Sequence, residues 1–457
     1  MKKTTLITSL SFLYFHSFAQ QDSLLKNFKF RISNYRIVTL NLYQNAEYGK
    51  TNYPSYNAEN TRASGNLFAE ISTIRSTDNL QLTLTTGAGS NIAHSRNNNQ
   101  PGKIDYTAAG VNGNFSVLSR WFNKNYFIEA GTTLSGFTNC QKTKNITTEL
   151  VEKNTLGTYH GTIYAGIGTG RLENIRDMQN ALWLNKELTE SSSLTRELTP
   201  EELNELGRSI TKGNNTRVLD VRRKTKFVLR TVDEFLQSKG LISKTDINYF
   251  TGLNDILFFA INDSRLSGTE KFIRLTPDIW GSNSIASLTP TNDKLTIKPQ
   301  SKSALVTIGF NTYQPLNLSH QNNYGAAVKL NYTDFSSVSR NYQDGVLQTE
   351  FKQHNVVKRA GVNLFFTHVI YPNTRTIIRL TAETEMGWQD DYVLDKSFYE
   401  RTDINTSFDY FVSYRTRLFI NAGVFHNKNY YYGNYQSFEL FPDRFSASIN
   451  TGLTINL

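Results

Sequence analysis

The sequence predicts an all-β, antiparallel transmembrane barrel of about 14 strands carrying an α-helical insert. Three observations predict it. The chain of 457 residues is rich in aromatics, with 24 Tyr and 29 Phe, yet only 19% of its residues are charged, below the roughly 25% of an ordinary soluble domain. Its mean hydropathy is −0.44, and no run of about 18 apolar residues offers a membrane-crossing helix. Finally, apolar residues recur with a period of two, as a strand facing lipid on one side requires.

The first element is an export signal. Residues 1–19 join Lys2 and Lys3 to an apolar stretch at 6–15 and to the small-residue site Ser17-Phe18-Ala19, which together read as a secretory signal peptide. The apolar stretch is too short to span a membrane. The mature chain is expected to begin at Gln20. Its formal charge of +10, less the two signal lysines, is too diffuse to imply nucleic acid. Cys140 is the only cysteine, so no intrachain disulfide forms.

Strands are expected at 28–43, 64–74, 79–90, 108–119, 125–137, 157–168, 270–280, 301–312, 323–337, 355–370, 375–388, 404–414, 417–427 and 445–457. Dropping 28–43 and 270–280 would leave 12. Leu80, Leu82 and Leu84 alternate with Gln81 and Thr83; Leu380, Ala382 and Met386 oppose Arg379, Glu383 and Glu385; Ala447, Ile449 and Leu453 oppose Ser448, Asn450 and Gly452. Short links fall at 75–78, 121–124, 314–322, 371–374 and 414–416. Long ones, expected to be outer loops, fall at 44–63, 91–107, 138–156, 281–300, 338–354, 389–403 and 428–444. That alternation is the one outer-membrane barrels use. It divides the chain into an N-terminal barrel half at 20–170, an insert at 171–268 and a C-terminal half at 269–457.

The insert holds 29 charged residues in 98, about 30% and typical of a soluble helical domain, against about 17% in the rest of the mature chain. Thr199, Pro200 and Glu202 spell a capping box. A second helix from about 216 carries Phe227, Val228, Val232, Phe235 and Leu236 and stops at Lys239-Gly240. A third is expected to start at Ser243 or Thr245, with Ile247, Phe250, Ile256, Leu257 and Ile261 apolar. The basic run of Arg222, Arg223, Lys224, Lys226 and Arg230 reads as a solvated helix face. The sidedness of the links puts the insert in the periplasm.

The chain resembles outer-membrane β-barrel proteins of the Bacteroidota type, a largely uncharacterised family with a periplasmic helical insert. The resemblance rests on the signal peptide followed by Gln20, on the turn Tyr313-Gln314-Pro315-Leu316-Asn317-Leu318 and on the alternating last strand. It also rests on Gly170-Arg171-Leu172-Glu173, Asp220-Val221-Arg222, Asn254-Asp255 and Arg265-Leu266-Ser267-Gly268 in the insert. It implies contact with outer-membrane lipid and lipopolysaccharide, recognition by the barrel-assembly machinery, and a periplasmic protein partner for residues 171–268. Such barrels usually end on an aromatic residue, and this one ends on Leu457.

Several constellations have bland explanations. Gly166-Ile167-Gly168-Thr169-Gly170 lacks the spacing of a phosphate loop and suits a bend at a barrel rim. His160, His320, His354, His368 and His426 stand singly, without metal-ligand spacing. No cofactor is expected. His160 is the residue to inspect for a membrane-embedded hydrolase. Tyr126, Tyr324, Tyr371, Tyr410, Tyr414, Tyr430, Tyr431 and Tyr432 suit interfacial girdles. The charges expected on the inner face are Glu70, Glu129, Lys329, Arg359, Arg379, Glu383, Glu385 and Asp409. They either set a field across a pore or pair and fill it. The leading expectation is a channel or transporter for small polar solutes, gated or plugged by its insert, and not an enzyme. The rival is a non-conducting interaction protein.

Overall fold

A computed structural model describes residues 23–52, 57–99, 102–216, 221–259, 265–391, 395–413, 416–432 and 444–455. The signal peptide, Gln20, Asp220, Ile261, Tyr414 and Leu457 lie outside the described residues. Among those described, fourteen long strands follow one another: β1 (Ile32–Asn52), β2 (Asn57–Ser76), β3 (Leu80–Asn99), β4 (Gly102–Asn123), β5 (Tyr126–Asn145), β6 (Val151–Gly170), β7 (Leu266–Thr289), β8 (Asp293–Pro315), β9 (His320–Gln343), β10 (Val346–Asn373), β11 (Thr376–Asp391), β12 (Asp395–Ser413), β13 (Thr416–Tyr432) and β14 (Arg444–Ile455). Each pairs antiparallel with its sequence neighbours, and β6 pairs with β7 across the helical insert. Among the described residues no ladder joins β1 to β14, which form the two edges of the run.

The outward face has a short apolar band beside the short-turn rim. On β9 it runs Tyr324, Val328, Leu330 and Tyr332, and on β6 Tyr159, Ile163 and Ile167, all exposed. Nine residues at about 3.3 Å each, tilted, cross a hydrocarbon layer. On β9 a tyrosine stands at either end of the band, where an interface belt belongs. Past Tyr332 the same face turns polar with Asp334, Ser336 and Arg340. An apolar belt outside, a polar wall inside and a sequential antiparallel meander make this a transmembrane β-barrel architecture, all-β apart from its insert.

Among the described residues, most of the expected long loops are corrected to strand, while 53–56, 100–101, 392–394 and 433–443 lie outside the described residues. Tyr48 pairs with Thr61, Asn97 with Ile104, Lys142 with Lys153, Ser287 with Lys294 and Arg340 with Glu350. The far-rim turns at 146–150, 290–292 and 344–345 are short. These Asn-, Ser- and Thr-rich stretches carry no hydrophobic alternation because both of their faces lie beyond the apolar belt. Backbone pairing holds them, with cross-strand side-chain pairs such as Arg96 with Asp105 and Arg340 with Glu350. β1 begins at Ile32 and not at 28, because Phe28 turns away to another core.

That core belongs to the insert. Helices α1 (Arg176–Glu190), α2 (Pro200–Asn215), α3 (Val221–Ser238) and α4 (Ile247–Asn254) are followed by a π-helical turn, Asp255–Phe259. Met178, Leu184, Leu188, Leu206, Ile210, Val228, Val232 and Leu236 pack together with Leu25 and Phe28 from before β1 and with Leu318 from the turn between β8 and β9. Thr199 and Glu202 form the capping box expected of them. α4 starts later than expected, capped by Asp246, which accepts from the Tyr249 amide. Its buried face is Tyr249, Leu253, Ile256 and Leu257, whereas Ile247 and Phe250 are exposed.

Candidate functional site: the inner wall and its helical cap

All eight predicted charged residues stand on strand positions opposite the apolar belt. Six of them find partners on the neighbouring strand or the next but one. Glu129, its side chain fully buried, accepts from Arg120 Nε at 2.9 Å and from Arg274 Nη2 at 3.2 Å. Arg120 also reaches Glu270 at 2.9 Å, and Glu270 accepts from Asn311 at 3.0 Å. A second knot sets the Asp409 carboxylate between Arg379 Nη1 and Arg417 Nε, each at 2.8 Å. Lys329 donates to Glu385 at 3.0 Å, which also accepts from Tyr399 at 3.1 Å, and Asn363 donates to Glu383 at 2.8 Å. Glu70 lies in register with Gly87, and Arg359 with Gln389.

A carboxylate held by two guanidinium groups offsets the cost of burial. The pairing runs sideways along the wall, strand to strand. Arg120, Arg274, Glu270 and Arg417 complete these knots and were not among the predicted residues. Their signal was present: each lies on the inward phase of its strand, but only the register names its partner.

Above the short-turn rim the insert is fastened by four arginines. Arg171 donates to the carbonyls of Thr77 and Asp78, both at 2.8 Å, and lies 4.5 Å over the Phe122 ring. Arg31 binds both oxygens of Glu173 at 2.9 Å and Asp78 at 2.7 Å. Arg265, 1% exposed, donates to the carbonyls of Asn317 at 2.6 Å, Leu318 at 2.8 Å and His320 at 3.0 Å, and to Gln321 Oε1 at 2.8 Å. Its guanidinium stands 4.8 Å from the centre of the Tyr371 ring. Tyr371 is buried under it and is no girdle residue, whereas Tyr126, Tyr324 and Tyr430 are exposed. Arg375 donates to Asp255 at 2.6 Å. The insert therefore meets the turns β2–β3, β8–β9 and β10–β11, which lie far apart in the strand order. Where the chain leaves β6 for the insert, Gly170 has φ +88°, a value glycine takes without strain. The glycine run is thus a rim bend.

Electrostatics tune the cap internally. Asp177 is buried, and desolvation raises its carboxyl above the ordinary range although Thr211 and Asn214 donate to it. The Arg196 guanidinium, with the Thr199 amide, holds Glu202 down to about 2. Lys224, from the expected solvated face, is instead half-buried: its Nζ donates to the carbonyls of Gly213, Asn214 and Thr216 at 2.7, 2.7 and 2.6 Å. It closes the carbonyl end of α2, where a cation is favoured.

His160 has the partners a hydrolase would need, in the wrong arrangement. Its Nε2 is 2.6 Å from Asp278 Oδ1 and 3.4 Å from Thr162 Oγ1, and Thr162 donates to that same Asp278 oxygen at 2.6 Å. A relay needs one ring nitrogen for the hydroxyl and the other for the carboxylate. Here one nitrogen faces both. His320 and His368, distant in sequence, meet at 3.3 Å. Among the described residues no three His, Cys, Asp or Glu side chains are placed to hold a metal ion.

No protein-family model matches the chain, and no curated protein matches it. Solved structures do align with it, thirty chains in all, among them the following three. The beta domain of the Bordetella autotransporter BrkA is 8% identical over 93% of this chain and 99% of that one, with a TM-score of 0.26. The ferric yersiniabactin uptake receptor FyuA from Yersinia pestis is 6% identical over 87% of this chain and 61% of that one, with a TM-score of 0.36. BamA from Haemophilus ducreyi lacking POTRA domains 1–3 is 8% identical over 92% and 70%, with a TM-score of 0.20. At these values the alignments assign no activity, and the fold rests on the strand pairing and the apolar belt.

Proposed function

We propose that the protein is an outer-membrane barrel that passes small polar solutes, with the helical insert closing its periplasmic mouth. The signal peptide at 1–19 would export it, the barrel-assembly machinery would insert it, and outer-membrane lipid and lipopolysaccharide would cover the belt. The observation that carries this reading is the cap itself. One helical body is fastened by arginines to turns of strands far apart in the sheet, over an inner wall lined with polar and paired charged groups. A wall of that character suits water and polar solutes.

Conductance in planar bilayers tests it. The full chain should carry a small current, and cutting the fastenings with Arg265→Ala and Arg375→Ala should raise it. Silence in both would remove the passage reading. It would favour a non-conducting interaction protein, which the polar strand extensions beyond the belt and the exposed cap surface would serve.

A further inference from the structure

The inner wall over β2–β7 differs from the charged wall beside the cap. Two rows of residues, in register across the strands, lie next to each other there. One runs Phe68, Gly89, Asn112, Phe137 and Thr158 from β2 to β6; the other runs Glu70, Gly87, Asn114, Ser135, His160 and Trp280 from β2 to β7. All of them but Gly89, Gly87 and Glu70 line a cavity of about 620 Å³.

The recess is made by glycine. A Cβ at Gly89 would lie 2.6 Å from the Asn112 amide oxygen and 2.9 Å from the Phe68 ring, and one at Gly87 would lie 2.6 Å from the Asn114 amide oxygen. Only bare backbone lets the ring and the two amides settle against β3. One close side-chain pair, His160 with Asp278, borders the recess and is satisfied within the wall. One row further along β5, the Asn139 side-chain oxygen is buried without a hydrogen-bond partner among the described residues.

We infer that this recess binds a neutral saccharide, with Trp280, Phe137 and Phe68 as stacking faces and Asn112, Asn114 and Ser135 as hydroxyl partners. The chemistry selects that class. A pyranose presents apolar C–H faces edged by hydroxyls that both donate and accept. Aromatic faces cover the former, and side-chain amides, having both a carbonyl and an NH₂ group, match the latter without charge. Among the described residues that line the recess there is no Lys or Arg to hold an anionic ligand. The cavity lies in the 300–1,000 Å³ range of small-molecule sites, enough for an oligosaccharide segment.

The inference deepens the passage reading by naming the solute, and rests on that reading only for how the sugar arrives. Binding is therefore measured on the full chain in detergent, where no current is needed. Isothermal titration with maltotriose, cellotriose and chitotriose should give saturable heat for at least one of them at millimolar concentration. A uronic-acid disaccharide and a purine nucleoside should give none. Trp280→Ala and the double variant Asn112→Leu/Asn114→Leu should each weaken binding about tenfold or more. Trp280→Phe, which keeps a ring, should retain most of it, and heat-modifiable gel mobility checks that every variant is folded.

Absence of binding by all three neutral sugars overturns the inference, as does binding indifferent to Trp280→Ala, or a nucleoside binding where the sugars do not. Sugar binding without conductance would leave the inference standing and sink the passage reading. Conductance without sugar binding would do the reverse.

Discussion

The barrel wall and its helical cap use the same aliphatic residues to opposite ends. In the cap Leu184, Leu206 and Ile210 are at most 1% exposed, locked in one core, while on the wall Ile163 and Ile167 are 57% and 58% exposed on the belt. The polar groups reverse the pattern. Wall charges pair along the inner face, in ladders that the register repeats. The cap depends on four arginines, two at the β2–β3 turn and one each at the β8–β9 and β10–β11 turns. Removing one contact should therefore matter far more in the cap than on the wall.

The sharpest break is Arg265→Ala. It strands the carbonyls of Asn317 and Leu318 and a glutamine oxygen in a buried site and should cost about 3–5 kcal/mol. The helical circular-dichroism signal should melt earlier while heat-modifiable gel mobility, the mark of an intact barrel, stays. Loss of both together would erase the contrast between the regions.

Next, equivalent truncations should separate them. Leu206→Ala opens a cavity in the cap core and should cost about 3 kcal/mol. Ile163→Ala should cost less, about 1–2 kcal/mol, because lipid refills the space and only the water-to-lipid transfer of the lost carbons is forfeited. Equal losses in urea titrations of the two variants would show that the belt is packed against protein. A charge reverses the ranking for the belt alone: Ile163→Arg should cost about 2–4 kcal/mol near the bilayer midplane, read by refolding into vesicles.

A smaller effect is expected at the capping box, where Thr199→Ala should cost the insert about 1 kcal/mol. The pH dependence follows from Glu202. Its folded carboxyl titrates at about 2, below its ordinary 4.5, so its stabilisation is present above 4.5 and fades as pH falls toward 2. Glu202→Gln should flatten the insert's melting temperature over that window. An unchanged slope would assign the acid sensitivity to other groups.

The contrast also explains what was legible in the sequence. The belt strands were, because Leu380, Ala382 and Met386 announce one face and Arg379, Glu383 and Glu385 the other. The capping box was, because Thr199, Pro200 and Glu202 are local. The far halves of the strands were not: residues such as Asn97 and Thr61 have water on both faces, and only backbone pairing makes them strand. The partners in the charged knots were hidden for a related reason. Arg120 and Glu270 are 150 residues apart, and no local pattern says that β4 and β7 share a carboxylate network. Tyr371 was misplaced because a tyrosine at a strand end suits an interface as well as it suits the underside of an arginine.

The cap core joins residues from three distant parts of the chain, and this imposes an order in time. Phe28 packs against Gly207, Arg31 grips Glu173 from 142 residues away, and Leu318 fills the same core. The helical body cannot finish until the polypeptide as far as Leu318 has been delivered. Once it has, the segment before the first strand is tied to the middle of the sheet by a core that takes no residue from the last six strands. The insert is thereby a jig for the leading edge. Long-range closures of this kind are slow and leave strand edges exposed. A jig that fixes one edge early shortens the interval in which that edge could pair with the wrong chain.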